Sequence, residues 1–239
     1  MTTALRVLLV GHGRMGRLVE TLAPEYGITV AGLVTSANAN DPAAWPEADV
    51  AIDFSSAAAV LPTTRALASR GTSLIIGTTG WHHEEQAVRN AIEGMNIGVL
   101  AAPNFAIGVN LFLAIAEQSA RMLVARGFAP WIHEAHHAAK KDAPSGTAVA
   151  LARAVESAGR TVDVSSTRAG HIPGTHTVGF DSPVEAITLT HMARDRTPFA
   201  RGALEAAKWI QGRRGWYTMR DLLAVEGNAA DGDALKGKE

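Results

Sequence analysis

Apolar positions along the chain fall into short unbroken runs separated by stretches of helical spacing. Leu5-Arg6-Val7-Leu8-Leu9-Val10 is stopped by Gly11, and behind Gly16 the residues Leu18, Val19, Leu22 and Ala23 recur at helical intervals. This predicts a strand, a glycine turn and a helix. Further runs at 28–34, 50–54, 74–76 and 97–100 follow, with helix-like segments over 57–69 and 84–93. Strands alternating with helices predict a parallel sheet covered on both faces. Beyond Phe105 the pattern changes to a long apolar helix over 109–124, a strand over 131–134, a helix over 146–157 and strands over 175–180 and 186–191. Fewer crossovers there predict a second domain whose sheet is partly antiparallel. An alanine-rich helix over 199–210 and a short element over 219–225 precede a polar, glycine-containing tail that is expected to be disordered from about 227.

Residues 95–116 carry no charge and are long enough to cross a bilayer. Pro103-Asn104 and Asn110 interrupt them, so they are read as a buried strand followed by a buried helix. With 22 basic and 23 acidic side chains among 239 residues, the formal charge is −1. That balance supplies no global field for nucleic acid or an anionic membrane, so a bound anion must be held by a local cluster. The absence of cysteine excludes disulfides, thiolate nucleophiles, cysteine-ligated zinc and iron–sulfur clusters. The start, Met1-Thr2-Thr3-Ala4, leads directly into the first strand without a signal-peptide pattern, and a cytoplasmic protein is expected.

Gly11-His12-Gly13-Arg14-Met15-Gly16 matches G-x-G-x-x-G at the place where its mechanism requires it, after the first strand and opening a helix. Its glycines permit the tight turn and a close approach to a pyrophosphate, and the helix N-terminus favours the anion. The fold class is therefore read as α/β: a Rossmann-type parallel-sheet dinucleotide-binding domain plus a second α+β domain with a mixed sheet. The carboxylate that usually binds a ribose hydroxyl about 20 residues later would fall near Thr35, where the chain has Thr35-Ser36. Without it a 2′-phosphate meets no repulsion, and Arg14 is placed to pair with it. NADPH is favoured, with NADH also acceptable. Gly77-Thr78-Thr79-Gly80 follows another strand, where it is either a ligand loop or a plain connection.

Three of the nine histidines and two of the five lysines fall within residues 131–147. Ser145 is a suitable N-cap for the helix behind it, leaving the amides of Gly146 and Thr147 as an anion site. Histidine and lysine beside it suit a carboxylate substrate whose reaction needs protonation. The same stretch satisfies H-E-x-x-H through His133, Glu134 and His137, the pattern of zinc proteases. That chemistry requires a helix through 133–137, whereas Pro130, Trp131 and Ile132 favour an extended chain, so no metal site is expected.

Glu134-Ala135-His136-His137-x-x-Lys140-x-Asp142-x-Pro144-Ser145-Gly146-Thr147-Ala148 closely resembles the 4-hydroxy-tetrahydrodipicolinate (dihydrodipicolinate) reductases. Support comes from Asp53-Phe54-Ser55, Ala102-Pro103-Asn104-Phe105, Gly108-Val109-Asn110, Arg168-Ala169-Gly170, Gly174-x-His176-Thr177-Val178, His191-x-Ala193 and Arg196-x-x-Phe199-Ala200-x-Gly202-Ala203. Met219-Arg220-Asp221 closes a resemblance that runs from about Val7 to Val225.

The resemblance implies that His136 is the catalytic acid/base and Lys140 the proton donor, while His137 with Ser145, Gly146 and Thr147 holds a substrate carboxylate. It implies that residues Gly11 to Gly16, Gly77, Thr78, Thr79, Ala102, Pro103, Asn104, Phe105 and Arg196 meet the cofactor. The implied reaction reduces a cyclic dicarboxylate with NADPH or NADH and loses the 4-hydroxyl as water. It further implies a homotetramer built on the second domain's sheet, with the C-terminal helix returning to the nucleotide domain. The expected domains are 1–106 with 197–239 for the dinucleotide, and 107–196 for substrate and oligomerisation.

The chain departs from the family in a glycine turn one residue shorter than that of many members, and in Thr35-Ser36. Two other readings keep the fold: a dehydrogenase of an open-chain amino or hydroxy acid, and a silent nucleotide sensor. The intact His136, His137, Lys140 and Thr147 speak against the sensor. Trp45, Trp209 and Trp216 are read as packing residues, and His82-His83 as the surface start of a helix.

Overall fold

The computed structural model describes residues 4–225, so the tail expected from 227 lies outside the described residues. By internal packing the chain divides into two compact units, one comprising the residues up to Phe105 and those from Ala200 onward, the other Ala106–Phe199.

The first unit holds strands β1 (Leu5–Val10), β2 (Ile28–Val34), β3 (Val50–Asp53), β4 (Ser73–Ile76), β5 (Gly98–Ala101) and, late in the chain, β10 (Gly215–Tyr217). They form one sheet in the order β10-β5-β4-β3-β1-β2. Every pairing is parallel. Helices α1 (Arg14–Leu22), α2 (Ala57–Ala68) and α3 (Glu85–Ile92) are the crossovers. The inner strands are buried on both faces, which explains why 50–53 and 73–76 read as continuous runs rather than alternating ones. Strand order reverses between β1 and β3, and the carboxyl edge at such a switch point is where open parallel sheets bind ligands.

α1 begins at Arg14, so Gly16 is a helical residue rather than the last residue of the turn. β10 went unread in the sequence because it has only three residues. Trp216 on it packs edge-on to buried Trp81, and the Arg89 guanidinium lies 4.2 Å from the Trp216 ring centre. Trp45 is buried and its indole N–H donates to the Asn38 carbonyl, while Trp209 stacks on Arg213 at 3.8 Å.

The second unit holds α4 (Ile107–Val124), β6 (Ala129–His136), α5 (Gly146–Glu156), β7 (Asp163–Arg168), β8 (Thr175–Asp181) and β9 (Ala186–Met192). The chain returns through α6 (Thr197–Trp209) and ends its described part with α7 (Met219–Leu222). The sheet order is β7-β6-β8-β9. β6 runs parallel to β7 and antiparallel to β8. β7 escaped the hydrophobic pattern because Asp163-Val164-Ser165-Ser166-Thr167-Arg168 offers one apolar side chain; its strand character comes from pairing with β6.

The uncharged stretch over 95–116 divides into β5, a loop and the first half of α4. α4 is long and apolar enough to cross a membrane by length and composition. In this unit Phe112, Ala116 and Ala120 of α4 pack with Leu151 and Val155 of α5 over Ile132, Val178 and Phe180.

Candidate active site

In the first unit, the glycine turn is wedged among three backbone segments. Gly11 has φ +86°, donates its N–H to the Val34 carbonyl at 2.8 Å, and would bring a Cβ to 2.5 Å from the Phe54 carbonyl oxygen. A Cβ on Gly16 would lie 2.1 Å from the Gly11 carbonyl oxygen. A Cβ on Gly13, in contrast, would meet nothing within 4 Å. It would point into a pocket of about 290 Å³ lined by Gly13, Arg14 and Met15 on one side, Phe54, Ser55 and Ser56 on another, and Gly77, Thr78 and Thr79 on the third. The turn and the β4 loop thus line one pocket.

Thr35 follows β2, with its N–H donating to Asn38 Oδ1 at 2.8 Å. His12 engages Glu20 at 2.7 Å. Ala102 donates its N–H to the Ile76 carbonyl, and Phe105 is buried edge-on to Phe54 with ring centres 6.2 Å apart. Arg196 lies exposed in the other unit, just before α6.

Asp53, at the end of β3, stands in the sequence only as part of the Asp53-Phe54-Ser55 motif, yet it ties this crevice together. Its Oδ1 accepts from the Ser55 N–H at 2.8 Å, the Ser55 hydroxyl at 2.6 Å and the Thr78 hydroxyl at 2.8 Å. Burial pushes its carboxyl above the usual carboxylate range, against the lowering effect of those donors. The loops after β3 and β4 are therefore cross-linked by one buried side chain.

In the second unit, side chains of one parity face the helices. The first such row is Val164, Ile132, Val178 and Leu189, entirely apolar. One pleat further along, the same face carries Ser166, Glu134, His176 and His191, and after them Arg168 and His136. The row thus changes from hydrocarbon to ionisable groups within two residues. Glu134 is 0% exposed, and its Oε1 accepts from Arg168 Nη2 at 2.6 Å. Burial alone would raise its pKa, but the Arg168 and Ser166 hydrogen bonds and the charges of His136 and Arg168 outweigh that and lower it to about 2. Its Oε2 lies in direct contact with His136 Nδ1. Burial pushes His136 below its ordinary value, with Glu134 pulling upward and Lys140 and Arg168 downward.

His176 sits edge-on to His136 at 5.1 Å between ring centres. Its Nε2 is 3.0 Å from Ser145 Oγ, which also accepts the Ala148 N–H as the N-cap of α5. The α5 cap is therefore joined to the ionisable row, and the first amides, Gly146 and Thr147, have no carbonyl of their own helix to bond. Lys140 stands in the loop between β6 and α5, its Nζ 2.7 Å from Asp142 Oδ1. That contact holds the Asp142 carboxyl below the usual range. Arg168 Nη2 also donates to the Asp142 carbonyl at 2.5 Å, fastening the loop to the sheet. His137 lies exposed just past β6.

The H-E-x-x-H segment is extended, within β6 as far as His136, with His133 Nδ1 2.9 Å from Ser165 Oγ. That removes the helical geometry on which the protease pattern depends. Glu134, His136 and His176 do bring ligand atoms within 4.8 Å of one another. Direct contact of Glu134 Oε2 with His136 Nδ1, and the cations Arg168 and Lys140 beside them, fit a hydrogen-bonded acid–base group better than a metal-ion cage.

Burial lowers the His176 pKa to about 4, helped by repulsion from His136. Its folded value therefore lies below its unfolded one, and the unfolded chain binds the extra proton between about pH 6.5 and 4. Stability must fall as pH drops through that window. Wild type is expected to lose about 2 kcal/mol more unfolding free energy between pH 7 and pH 5 than His176→Gln does. Denaturant unfolding at the two pH values checks this, and equal losses would remove the buried neutral histidine from the account.

Residues 5–105 match the family description "Dihydrodipicolinate reductase, N-terminus" and residues 108–223 match "Dihydrodipicolinate reductase, C-terminus". The chain is 41% identical to the 4-hydroxy-tetrahydrodipicolinate reductase of Acidiphilium cryptum, over 92% of this chain and 98% of the relative. It is 38% identical to that of Methanosarcina mazei, over 75% of this chain and 74% of the relative. Among solved structures it resembles a dipicolinate-bound dihydrodipicolinate reductase from Paenisporosarcina sp. TG-14, with TM-score 0.74 and 20% identity, covering 90% of this chain and 97% of that one. The C. glutamicum DAP dehydrogenase in complex with DAP shares the fold at TM-score 0.53 and 15% identity, over 95% and 97% of the two chains.

Proposed function

The chain belongs to the dihydrodipicolinate reductase family, and from that premise we propose how its residues divide the work. The reaction is the reduction of 4-hydroxy-2,3,4,5-tetrahydrodipicolinate to tetrahydrodipicolinate with loss of water, a step of lysine and diaminopimelate synthesis. The observation that carries the assignment is the ionisable row of β6 and β8, joined through Ser145 to the start of α5, with Lys140 on the intervening loop.

His137 and the amides of Gly146 and Thr147 hold a substrate carboxylate, while Ser145 fixes the helix start. Lys140 delivers its Nζ proton to the ring as negative charge develops on the conjugated imine, and His136 serves as acid/base beside it. Asp142 parks the Lys140 ammonium at 2.7 Å until a substrate carboxylate competes for it.

The nicotinamide dinucleotide lies along the first unit's crevice. Open space at the Gly13 Cβ position fits a pyrophosphate passing close to the backbone of residues 11–16. Thr78 and Thr79 line the same pocket, and Ala102, Pro103, Asn104, Phe105 and Arg196 are assigned to the cofactor by kinship. When bound, this group supplies the hydride. NADPH is the preferred form, because Arg14 lines the pocket and Thr35 stands where a carboxylate would repel a 2′-phosphate. The enzyme is proposed to be cytoplasmic and a homo-oligomer, a tetramer by kinship. The sheet face away from the helices exposes Trp131 and Met192 among threonines such as Thr177 and Thr190, a mixed surface that a second copy could cover.

Loss of reduced-nicotinamide absorbance on adding 4-hydroxy-tetrahydrodipicolinate generated in situ tests the assignment with NADPH and NADH separately. Wild type is expected to consume NADPH more efficiently, and Arg14→Ala to raise the KM for NADPH about tenfold with little change for NADH. Equal changes for both cofactors would remove Arg14 from 2′-phosphate recognition. No turnover by folded, cofactor-binding protein would overturn the substrate assignment.

A further inference from the structure

The chemistry of His136 depends on which ring nitrogen carries the proton when the ring is neutral. Nδ1 is buried against Glu134 Oε2 and has no other hydrogen-bond partner. Glu134 is ionised at neutral pH, and a carboxylate accepts but cannot donate. Nδ1 must therefore carry the hydrogen. The other nitrogen, Nε2, faces Gly174, where a Cβ would stand only 3.2 Å away, so it is the absence of a side chain at this residue, at φ +130°, that leaves room beside Nε2.

We propose that Glu134 is a positioning residue for the reductase reaction: clamped by Arg168, it holds His136 as the Nδ1–H tautomer and confines proton exchange to Nε2. The proposal rests on the acid/base role proposed for His136, and it adds the group that sets the orientation of that acid. Arg168 donates to Glu134 Oε1 at 2.6 Å, to the Asp142 carbonyl at 2.5 Å and, through Nη1, to the Thr167 carbonyl at 2.8 Å. The same guanidinium therefore fixes both the carboxylate behind His136 and the loop carrying Lys140. The ionisable groups facing His136 are Glu134 from β6, Arg168 from β7, His176 from β8 and Lys140 from the loop. Only Glu134 among them favours the protonated ring.

Glu134→Gln separates positioning from bulk. An amide offers one acceptor oxygen and one donor NH2, and arginine cannot accept. The oxygen must stay with Arg168, so the NH2 turns toward His136 and forces Nδ1 to accept, moving the proton to Nε2. Removing the negative charge also lowers the His136 pKa further.

The test is nitrogen-15 NMR of histidine-labelled full-length protein, together with the pH dependence of kcat for wild type, Glu134→Gln, Glu134→Asp and Arg168→Lys. In wild type His136 is expected to be protonated at Nδ1. In Glu134→Gln the tautomer reverses, kcat falls about tenfold to a hundredfold with KM changed far less, and the alkaline limb moves to lower pH. Glu134→Asp and Arg168→Lys, which keep the charges, retain the wild-type tautomer. A wild-type ring protonated at Nε2 overturns the proposal without any variant, as does a Glu134→Gln protein with unchanged tautomer and pH profile. Full turnover by His136→Gln would instead overturn the acid assignment, and the tautomer measurement would stand apart from it.

Discussion

Lys140→Ala is expected to lower kcat by about two to four orders of magnitude, the range a general acid supplies, while the protein stays folded. Structural reasons make this variant clean. The side chain contributes to no hydrophobic core, and its Nζ pairs with an Asp142 carboxylate that is 56% exposed. A pair in such contact with solvent contributes at most about 1 kcal/mol to stability. The backbone N–H of Lys140 donates to the His137 carbonyl and would do so from alanine, and Arg168 would still fasten the loop at Asp142.

Lys140→Arg then distinguishes a proton donor from a mere cation. Arginine keeps the charge that attracts a dicarboxylate but does not give up its proton near neutral pH. KM for the substrate is expected to stay within a few-fold of wild type in Lys140→Arg, with kcat as low as in the alanine variant. Steady-state kinetics with circular dichroism as the folding control decide the matter. Recovery of kcat by arginine would make Lys140 an electrostatic anchor, and near wild-type kcat in Lys140→Ala would move the proton donor elsewhere in the row.

The dinucleotide crevice is legible in the sequence because its signals are local: a run of apolar residues, three glycines at fixed spacing and a helical repeat behind them. The α5 cap is legible for the same reason, since Ser145 and the helix it opens are adjacent in the chain. The ionisable row is not. Glu134, His136, Arg168 and His176 all stand in motifs that marked the family, but their partnership requires β6 to be flanked by β7 and β8 in one register. β7 itself carries no hydrophobic alternation to announce it. At His133-Glu134-Ala135-His136-His137 two local signals compete, a helical metal signature and the extended entry favoured by Pro130-Trp131-Ile132, and the chain follows the second, running as β6 as far as His136. In a strand the period of two separates His133, facing Ser165, from Glu134 and His136 on the helix-covered side. Asp53 is a similar case, because its bond to Thr78 spans a crossover that only the sheet order reveals.

Gly16→Ala is expected to raise the dissociation constant for the reduced cofactor about a hundredfold or more, equivalent to roughly 2.7 kcal/mol. The variant is also expected to lose stability, although helix propensity alone would predict a gain, since replacing glycine by alanine inside a helix ordinarily stabilises by up to about 1 kcal/mol. Geometry decides between them. The new Cβ would stand 2.1 Å from the Gly11 carbonyl oxygen. Gly11 has nowhere to retreat, being pinned to Val34 by its N–H and pressed toward the Phe54 backbone. Relief must therefore come from displacing the start of α1 or the turn, and with it the amides proposed to approach the pyrophosphate. Gly13→Ala is the matched control, because its Cβ enters the open pocket without touching protein. That variant is expected to unfold at the wild-type denaturant concentration and to lose cofactor affinity by obstruction alone, whereas Gly16→Ala loses both stability and affinity. Denaturant unfolding and fluorescence titration with NADPH separate the two. A Gly16→Ala protein of wild-type stability and affinity would mean that α1 moves freely against the turn, and the close contact of Gly16 with Gly11 would then have no part in binding the dinucleotide.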